Sequence, residues 1–205
     1  MKQLFLSSSF KEVADLLPDF TNSDLKGRKV TFIPTAAKHE EVNFYVEDGR
    51  KALEELGLLV DDLEISTADP SEIVSKLQNN DFIYVTGGNV FFLLQELKKT
   101  GADRIIVEQI MAGKLYIGES AGSVILSPNI EYIKDMDDPN FAPELDDFEA
   151  LNIVDFYPLP HKNCFPFEET VEEIISKYQA SLLLEPFSNS QAILICGDKV
   201  KVTGQ

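Results

Sequence analysis

The sequence predicts an α/β protein with a parallel-rich central sheet flanked by helices. Short runs rich in β-branched and aromatic residues alternate with segments of helical periodicity, which is the pattern of a parallel sheet covered on both faces. Helix boundaries are visible too: one helical pattern stops at Gly57, and Asp69 precedes a proline at the first position of another. The length of 205 residues suits a single domain, residues 1–205, with one substantial core.

The individual elements follow from these patterns. Apolar runs predict strands at residues 4–7, 30–34, 58–65, 82–85, 115–117, 153–156, 192–195 and 199–202. Periodicity and capping predict helices at residues 40–56, from 69 onward, at 90–99, 103–112 and 168–179. Residues 127–150 are polar and acidic with little periodicity, so we expect a long loop near the functional edge of the sheet.

The charge of the chain argues against several classes of function. It has 35 acidic and 18 basic residues, a formal charge of −17, which would repel nucleic-acid phosphates and anionic lipid surfaces. The N-terminal apolar stretch is too short for a signal peptide and no later run approaches a membrane span, so we expect a cytoplasmic protein. The cysteine and histidine spacings match no metal motif, and we expect neither a metal nor a cofactor.

A candidate nucleophile, Ser120, lies in the sequence G-E-S-A-G at residues 118–122, directly after the apolar run 115–117. Between a strand and a helix, G-x-S-x-G forms a nucleophile elbow, in which the two glycines avoid steric collision. The serine hydroxyl then projects from the C-terminal end of the strand. Serine hydrolase chemistry is the leading hypothesis, and the alternative is that these small residues only let a helix pack closely on a strand.

Two histidines are available as the general base for Ser120. His39 lies at the predicted start of a charged amphipathic helix, where an exposed side chain is the usual outcome. His161 instead follows the predicted strand 153–156, in a loop that should open onto the same edge of the sheet as Ser120. We therefore predict that His161 is the base.

An acid is needed to orient the histidine. Asp135 lies in the long loop after the elbow and gives the chain order serine, aspartate, histidine that accompanies elbows of this kind. Glu119, directly before the nucleophile, is the alternative.

A second glycine-containing turn supplies the remaining element. The sequence T-G-G-N at residues 86–89 follows the predicted strand 82–85 and opens a helix. Glycine lets the backbone approach a ligand closely, and the free amides of a helix N-terminus favour negative charge. Together with the amide of Ala121, this turn would form an oxyanion hole.

In order along nearly the whole chain, these pieces resemble the peptidase E family of serine peptidases, which includes aspartyl dipeptidases and cyanophycinases. The matching pieces are I-P-T-A at 33–36, V-T-G-G-N at 85–89, G-E-S-A-G-S at 118–123, D-M at 135–136, P-H at 160–161, Q-A-I at 191–193 and G-D at 197–198. The resemblance implies a fold similar to the class I glutamine amidotransferase domain.

The resemblance also implies roles for individual residues. It implies that Ser120 is the nucleophile, His161 the base and Asp135 the third member of a triad. The amides around the oxyanion would be those of Gly88, Asn89 and Ala121. A glutamate near the C-terminal strand is another third member considered for this family, but residues 188–191, S-N-S-Q, contain no carboxylate.

One feature departs from the family pattern. Aspartyl dipeptidases of the peptidase E type resemble one another in carrying an arginine after the histidine, suited to binding the aspartyl carboxylate of the substrate. Residues 162–173 of this chain contain four glutamates and no arginine. Strict specificity for an N-terminal aspartate is therefore not expected.

The sequence thus predicts a dipeptidase-like serine peptidase that hydrolyses short peptides through a Ser-His-Asp acyl-enzyme mechanism, as a monomer or homodimer. One alternative is a serine hydrolase that acts on another acyl substrate or on cyanophycin-like peptides. The other is a non-catalytic binding or regulatory protein of the same fold.

Overall fold

The computed structural model describes residues 1–204 of the chain. Its strands are β1 Gln3–Ser7, β2 Lys29–Ile33, β3 Leu59–Asp62, β4 Phe82–Val85, β5 Leu115–Glu119, β6 Tyr157–Leu159, β7 Leu184–Pro186, β8 Gln191–Cys196 and β9 Lys199–Gly204. Seven strands form one sheet in the order β3-β2-β4-β5-β1-β8-β9, in which β3 to β1 are parallel and the last two are antiparallel to their neighbours. β6 and β7 pair separately as a two-stranded parallel sheet.

Helices cover both faces of the central sheet, which confirms the predicted α/β class. They are α1 Phe10–Val13, α2 Leu17–Thr21, α3 Phe44–Glu55, α4 Pro70–Asn79, α5 Val90–Thr100, α6 Ala102–Met111, α7 Ala121–Val124 and α8 Glu168–Tyr178. Alternating residues of β4 face opposite sides of the sheet. Phe82 and Tyr84 pack in a core with α1 to α3, whereas Ile83 and Val85 pack in a larger core with α4 to α6.

The predicted strand at residues 153–156 is wrong. The N–H groups of Ile153 and Val154 both donate to the Leu126 carbonyl, at 2.9 and 3.2 Å, so this apolar segment packs on the chain that follows α7. The strand begins only at Tyr157, and it pairs with β7, which the sequence did not predict. An apolar run has the same appearance whether its backbone bonds to a sheet or to a loop, and only long-range packing separates the two.

The other predicted strands and the predicted helices are all present, but their ends are shifted. The long run at residues 58–65 forms a strand only over β3, and α3 begins at Phe44 rather than at residue 40. The short helices α1 and α2 lack the length that makes periodicity recognisable, and they were not predicted. None of the helices within residues 1–204 is both long enough and apolar enough to cross a lipid bilayer.

The segment at residues 127–150 is a structured loop. It contains 3₁₀ turns at Glu131–Ile133 and Pro139–Phe141, and Tyr132 is buried with its hydroxyl donating to the Pro158 carbonyl. The loop is also tied to the start of α5, because the Val90 N–H donates to the Asp137 carboxylate at 2.8 Å. It therefore packs beside the turn at residues 86–89, at the carboxyl edge of the parallel strands.

The contact between α7 and β4 leaves no room for a side chain at Gly122. A Cβ atom there would lie 2.2 Å from the carbonyl oxygen of Val85, and one at Gly118 would lie 2.5 Å from the carbonyl oxygen of Gly122. Backbone atoms on both sides cannot move away as the end of a flexible side chain can. The two glycines of the motif thus permit the helix to pack directly on the sheet.

We predict that Gly122→Ala lowers the free energy of unfolding by more than about 3 kcal/mol, at or above the usual range for overpacking. Gly27→Ala is the control, because a Cβ atom there meets nothing within 4 Å although φ is +77°. Its cost should be only about 1–2 kcal/mol, from the left-handed backbone alone. Urea denaturation of both variants measures the difference, and equal losses would contradict the packing argument.

Candidate active site

Ser120 lies in a strained turn between β5 and α7. Its φ of 48° and ψ of −106° are outside the regions that L-residues ordinarily adopt, and such strain persists only where the surrounding structure enforces it. The Ser120 N–H donates to the Ser7 carbonyl at 2.8 Å. The Ser123 hydroxyl bonds to the carbonyls of Ser7 and Gly118, each at 2.9 Å. These bonds hold the serine at the carboxyl edge of the sheet.

His161 reaches this edge from the loop that follows β6. Its Nε2 lies 2.9 Å from Ser120 Oγ, which is hydrogen-bonding distance. The histidine backbone has a φ of 66°, and its N–H donates to the Ser8 hydroxyl at 3.1 Å. The ring of Phe167 stacks on the imidazole with centroids 4.7 Å apart. The structure therefore brings together the serine and the histidine that the sequence singled out.

Asn189 occupies the position on the other side of the imidazole. Its Oδ1 lies 2.8 Å from Nδ1 of His161, and it comes from the loop between β7 and β8. Because an amide oxygen only accepts, this bond places the proton on Nδ1 and leaves Nε2 free to accept the Ser120 hydroxyl proton. Asn189 thus orients the imidazole as the third member of a triad would.

The prediction that Asp135 orients the histidine is therefore corrected. Asp135 forms an ion pair with Lys177 of α8 at 2.8 Å, and the Nδ1 of His161 is bonded to an amide instead. Residues 188–191 contain no carboxylate, so they carry no sequence signal of a triad acid, and the group that contacts Nδ1 there is an amide. His39, the rejected base, packs on the ring of Phe92 at 4.6 Å.

The electrostatics of His161 suit a general base. Burial lowers its pKa below the ordinary 6.5, and the hydrogen bond that Nδ1 donates to Asn189 opposes this shift only in part. A lowered pKa leaves the imidazole neutral at pH 7 and able to accept a proton. Among residues 1–204, no carboxylate hydrogen-bonds to the imidazole to stabilise its protonated form.

The turn at residues 86–89 lies against the nucleophile. A Cβ atom at Gly87 would be 3.3 Å from the Cβ of Ser120, and one at Gly88, whose φ is +127°, would be 2.3 Å from the Ala36 carbonyl group. Within residues 1–204, the N–H groups of Gly88 and Ala121 have no protein acceptor. These two amides are the candidate oxyanion donors.

Asn89 does not fit the predicted role of an oxyanion donor, and this is a second correction. Its N–H donates to the Ala36 carbonyl at 2.8 Å and is not available to a substrate. Its side chain caps α5 by accepting from the Phe92 N–H at 2.9 Å, and it donates to the Asp138 carbonyl at 2.9 Å. Asn89 therefore stabilises the helix start and the adjoining loop.

Several acidic side chains surround the nucleophile. The ring of Tyr45 lies 3.5 Å from the position that a Cβ atom would take at Gly87. Burial raises the pKa of Tyr45, and the negative charges of Glu40, Glu119 and Asp137 raise it as well. Burial, together with Glu40, raises the pKa of Asp137 to about 7. Within residues 1–204, no group of three or more acidic, histidine or cysteine side chains could hold a metal ion.

Comparisons with known proteins identify the family of the chain. The model of peptidase family S51 matches residues 4–203. An uncharacterized peptidase from Listeria monocytogenes is 58% identical over 200 residues, covering 98% of this chain and 97% of the relative. Peptidase E of Shigella flexneri is 34% identical over 138 residues, which are 67% of this chain and 57% of that protein.

Two crystal structures resemble the fold. A protein from Listeria monocytogenes EGD-e, provisionally named peptidase E, has a TM-score of 0.96 and 57% identity, covering 100% of this chain and 99% of the other. A peptidase from an acI-B1 Actinobacterium has a TM-score of 0.74 and 22% identity, covering 100% and 88%, which shows likeness of the fold alone. The match to the family model over nearly the full length, with these relatives, means that the chain belongs to peptidase family S51.

Proposed function

We propose that this peptidase hydrolyses short peptides through an acyl-enzyme formed on Ser120. The observation that carries the proposal is a continuous hydrogen-bonded chain, with Ser120 Oγ 2.9 Å from His161 Nε2 and His161 Nδ1 2.8 Å from Asn189 Oδ1. A nucleophile, a base in reach of it and a group that orients the base are the elements of covalent hydrolysis.

The reaction follows from this arrangement. His161 removes the Ser120 proton as the oxygen attacks the scissile carbonyl carbon, and the resulting oxyanion accepts from the N–H groups of Gly88 and Ala121. The imidazolium then protonates the leaving amine, and the peptide C–N bond breaks to leave an ester on Ser120. Water, deprotonated by His161, hydrolyses that ester and restores the free serine.

An asparagine in place of an aspartate orients the imidazole but stabilises its protonated form less. The amide fixes the ring orientation and the tautomer, as the asparagine of papain-like proteases does. It contributes no charge, so the imidazolium formed during attack is less stabilised than it would be beside a carboxylate. Partial burial lowers the pKa of His161, and the bond to Asn189 opposes this shift only in part.

The charge around the site suggests which peptides it accepts. Glu40 and Asp137 lie near Tyr45 beside the nucleophile, and no arginine is present in residues 162–173 after the histidine. A peptide with a free N-terminal ammonium is attracted by such a field, whereas an additional side-chain carboxylate is repelled. We therefore propose peptides with neutral or small polar N-terminal residues as substrates.

The first prediction from the proposed function tests the nucleophile and the base. Ser120→Ala should abolish hydrolysis and covalent labelling by a fluorophosphonate without loss of folding, because it removes the nucleophilic oxygen. His161→Ala should lower kcat by about 10⁴ or more, as removal of a triad member does. Asp135→Asn is the matched control and should stay within threefold of the wild type in a dipeptide-library assay. Normal turnover by a clean Ser120→Ala protein would exclude this mechanism.

The second prediction concerns Asn189. Asn189→Ala should lower kcat/KM on the order of 10²-fold or more, because the tautomer is no longer fixed. Asn189→Asp should raise the pKa of His161, because a carboxylate stabilises imidazolium, so that the ring stays protonated up to a higher pH than in the wild type.

The chain has two histidines, so NMR titration of the imidazole nitrogens follows His161 directly, with His39→Gln to assign the signals. Burial predicts a wild-type pKa below 6.5. An unchanged His161 titration in Asn189→Asp would contradict the assigned contact.

The third prediction concerns specificity. In a panel of X-Leu and X-Ala dipeptides, kcat/KM should be higher for Ser, Thr, Ala or Met at the first position than for Asp. Glu40→Gln should reduce the difference in kcat/KM between these substrates and the aspartyl dipeptides. Added salt should reduce it as well, since exposed charges are screened within about 10 Å at 0.1 M. A preference of at least about tenfold for Asp, equal to about 1.4 kcal/mol, would refute the expectation.

A further inference from the structure

Glu119 is a buried carboxylate that the mechanism above does not use. It is the last residue of β5, directly before the nucleophile, and its side chain is 3% exposed. Oε1 accepts from the Phe10 N–H at 2.8 Å and Oε2 accepts from the Tyr84 hydroxyl at 2.8 Å. A third donor, the backbone N–H of Gly87, lies close enough to this carboxylate to lower its pKa. Three donors, from the start of α1, from β4 and from the turn that follows β4, therefore converge on one side chain.

Two of the donors belong to segments that build the site. Gly87 is the first glycine of the oxyanion turn, and its backbone lies directly against the Cβ of Ser120. Phe10 begins α1, two residues after Ser8, whose hydroxyl holds the backbone of His161. A single carboxylate thus connects the nucleophile, the oxyanion turn and the segment that anchors the base.

We propose that Glu119 is a positioning residue. By holding the N–H of Gly87, in the peptide group directly before that of Gly88, it sets the separation between Ser120 and the oxyanion donor Gly88. The proposal rests on the proposed function, since it concerns the transition state of the same reaction. A shift of about 1 Å in such a donor can lower a rate on the order of 10²-fold. Glu119 does not touch the reacting atoms and acts through the turn.

The ionised carboxylate is suited to this position. Ionised, it only accepts hydrogen bonds and satisfies the N–H groups of Phe10 and Gly87 together with the Tyr84 hydroxyl. A glutamine keeps only one accepting oxygen, and the protonated acid gains a donating O–H, so the two backbone N–H groups and the Tyr84 hydroxyl can no longer all donate to the side chain as they do to the carboxylate. Burial, with a smaller contribution from Asp48 of α3, raises the pKa of Glu119 to about 7 against the opposing effect of the three donors.

The direction of the pKa shift of Glu119 distinguishes a role in positioning the turn from a role in stabilising the fold. A carboxyl whose folded pKa lies above its ordinary 4.5 binds more protons when folded than when unfolded, so its contribution to stability falls as the pH rises from 4.5 to about 7. At pH 8, the charge of Glu119 opposes folding while it holds the turn. Its removal should therefore affect catalysis more than stability.

The experiment compares Glu119→Gln with the wild type in steady-state hydrolysis of a cleaved dipeptide. We expect kcat to fall by at least tenfold at pH 8 with KM changed less than threefold, and the affinity for a dipeptide aldehyde, which forms a tetrahedral adduct on Ser120, to fall by a similar factor. Tyr84→Phe keeps the ring, the carboxylate and both backbone donors, and it should stay within threefold of the wild-type kcat at pH 8.

The pH profile provides a second measurement that does not depend on the glutamine variant folding. Wild-type kcat should fall as the pH drops through about 7, where Glu119 and Asp137 become protonated, and His161, whose pKa lies below 6.5, follows at lower pH. Tyr84→Phe should move this fall to higher pH, because the lost hydrogen bond favoured the ionised form. Tyr45 and Asp48 of α3 also lie near the Glu119 carboxylate. Their effect on its pKa should be the same in the wild type and in Tyr84→Phe.

The outcomes are distinct. Wild-type kcat and an unchanged pH profile in Glu119→Gln, or an unmoved profile in Tyr84→Phe, would overturn the positioning role while leaving the serine mechanism in place. A wild-type protein that neither hydrolyses peptides nor reacts with a fluorophosphonate would overturn the proposed function and the role of Glu119 with it.

Discussion

The site depends on the backbone contact between α7 and β4. Because Gly122 has no side chain, its Cα packs directly on the Val85 carbonyl, and the N-terminus of α7 is held against the turn that follows β4. The two candidate oxyanion donors come one from each of these segments. Their separation is therefore set by a contact between two rigid backbones, which does not need to reorganise when a negative charge develops between them.

β1 lies next to β5 in the sheet, and its C-terminal end supports the two reacting residues. The Ser7 carbonyl accepts from the N–H of Ser120, and the Ser8 hydroxyl accepts from the N–H of His161. The same end leads into α1, whose first N–H is bound by Glu119. A central strand, buried on both faces, is a rigid foundation for two side chains that must stay within hydrogen-bonding distance.

The use of an amide beside the histidine fits the charge of the surroundings. An aspartate at residue 189 would place another negative charge in a half-buried site, where burial, Glu40 and Asp137 already raise the pKa of Tyr45. Asn189 orients the ring without that electrostatic cost. In exchange, the histidine keeps a lowered pKa, and the transition state must draw more of its stabilisation from the oxyanion donors.

The sequence by itself determined the features that depend on neighbouring residues. The elbow at Ser120 and the turn at residues 86–89 were predictable because strand, glycine and helix signals are local. The base was predictable because the chain offers only two histidines.

Tertiary structure decided which side chain faces Nδ1 of His161. Asn189 lies 28 residues further along the chain and comes from a different loop, whereas Asp135 is drawn to Lys177 of α8. The same is true of residues 153–156, whose apolar pattern is that of a strand but whose backbone bonds to Leu126. Residue type and spacing record what a segment can do, but the hydrogen-bond partner of a buried group is settled by long-range packing, which no local pattern encodes.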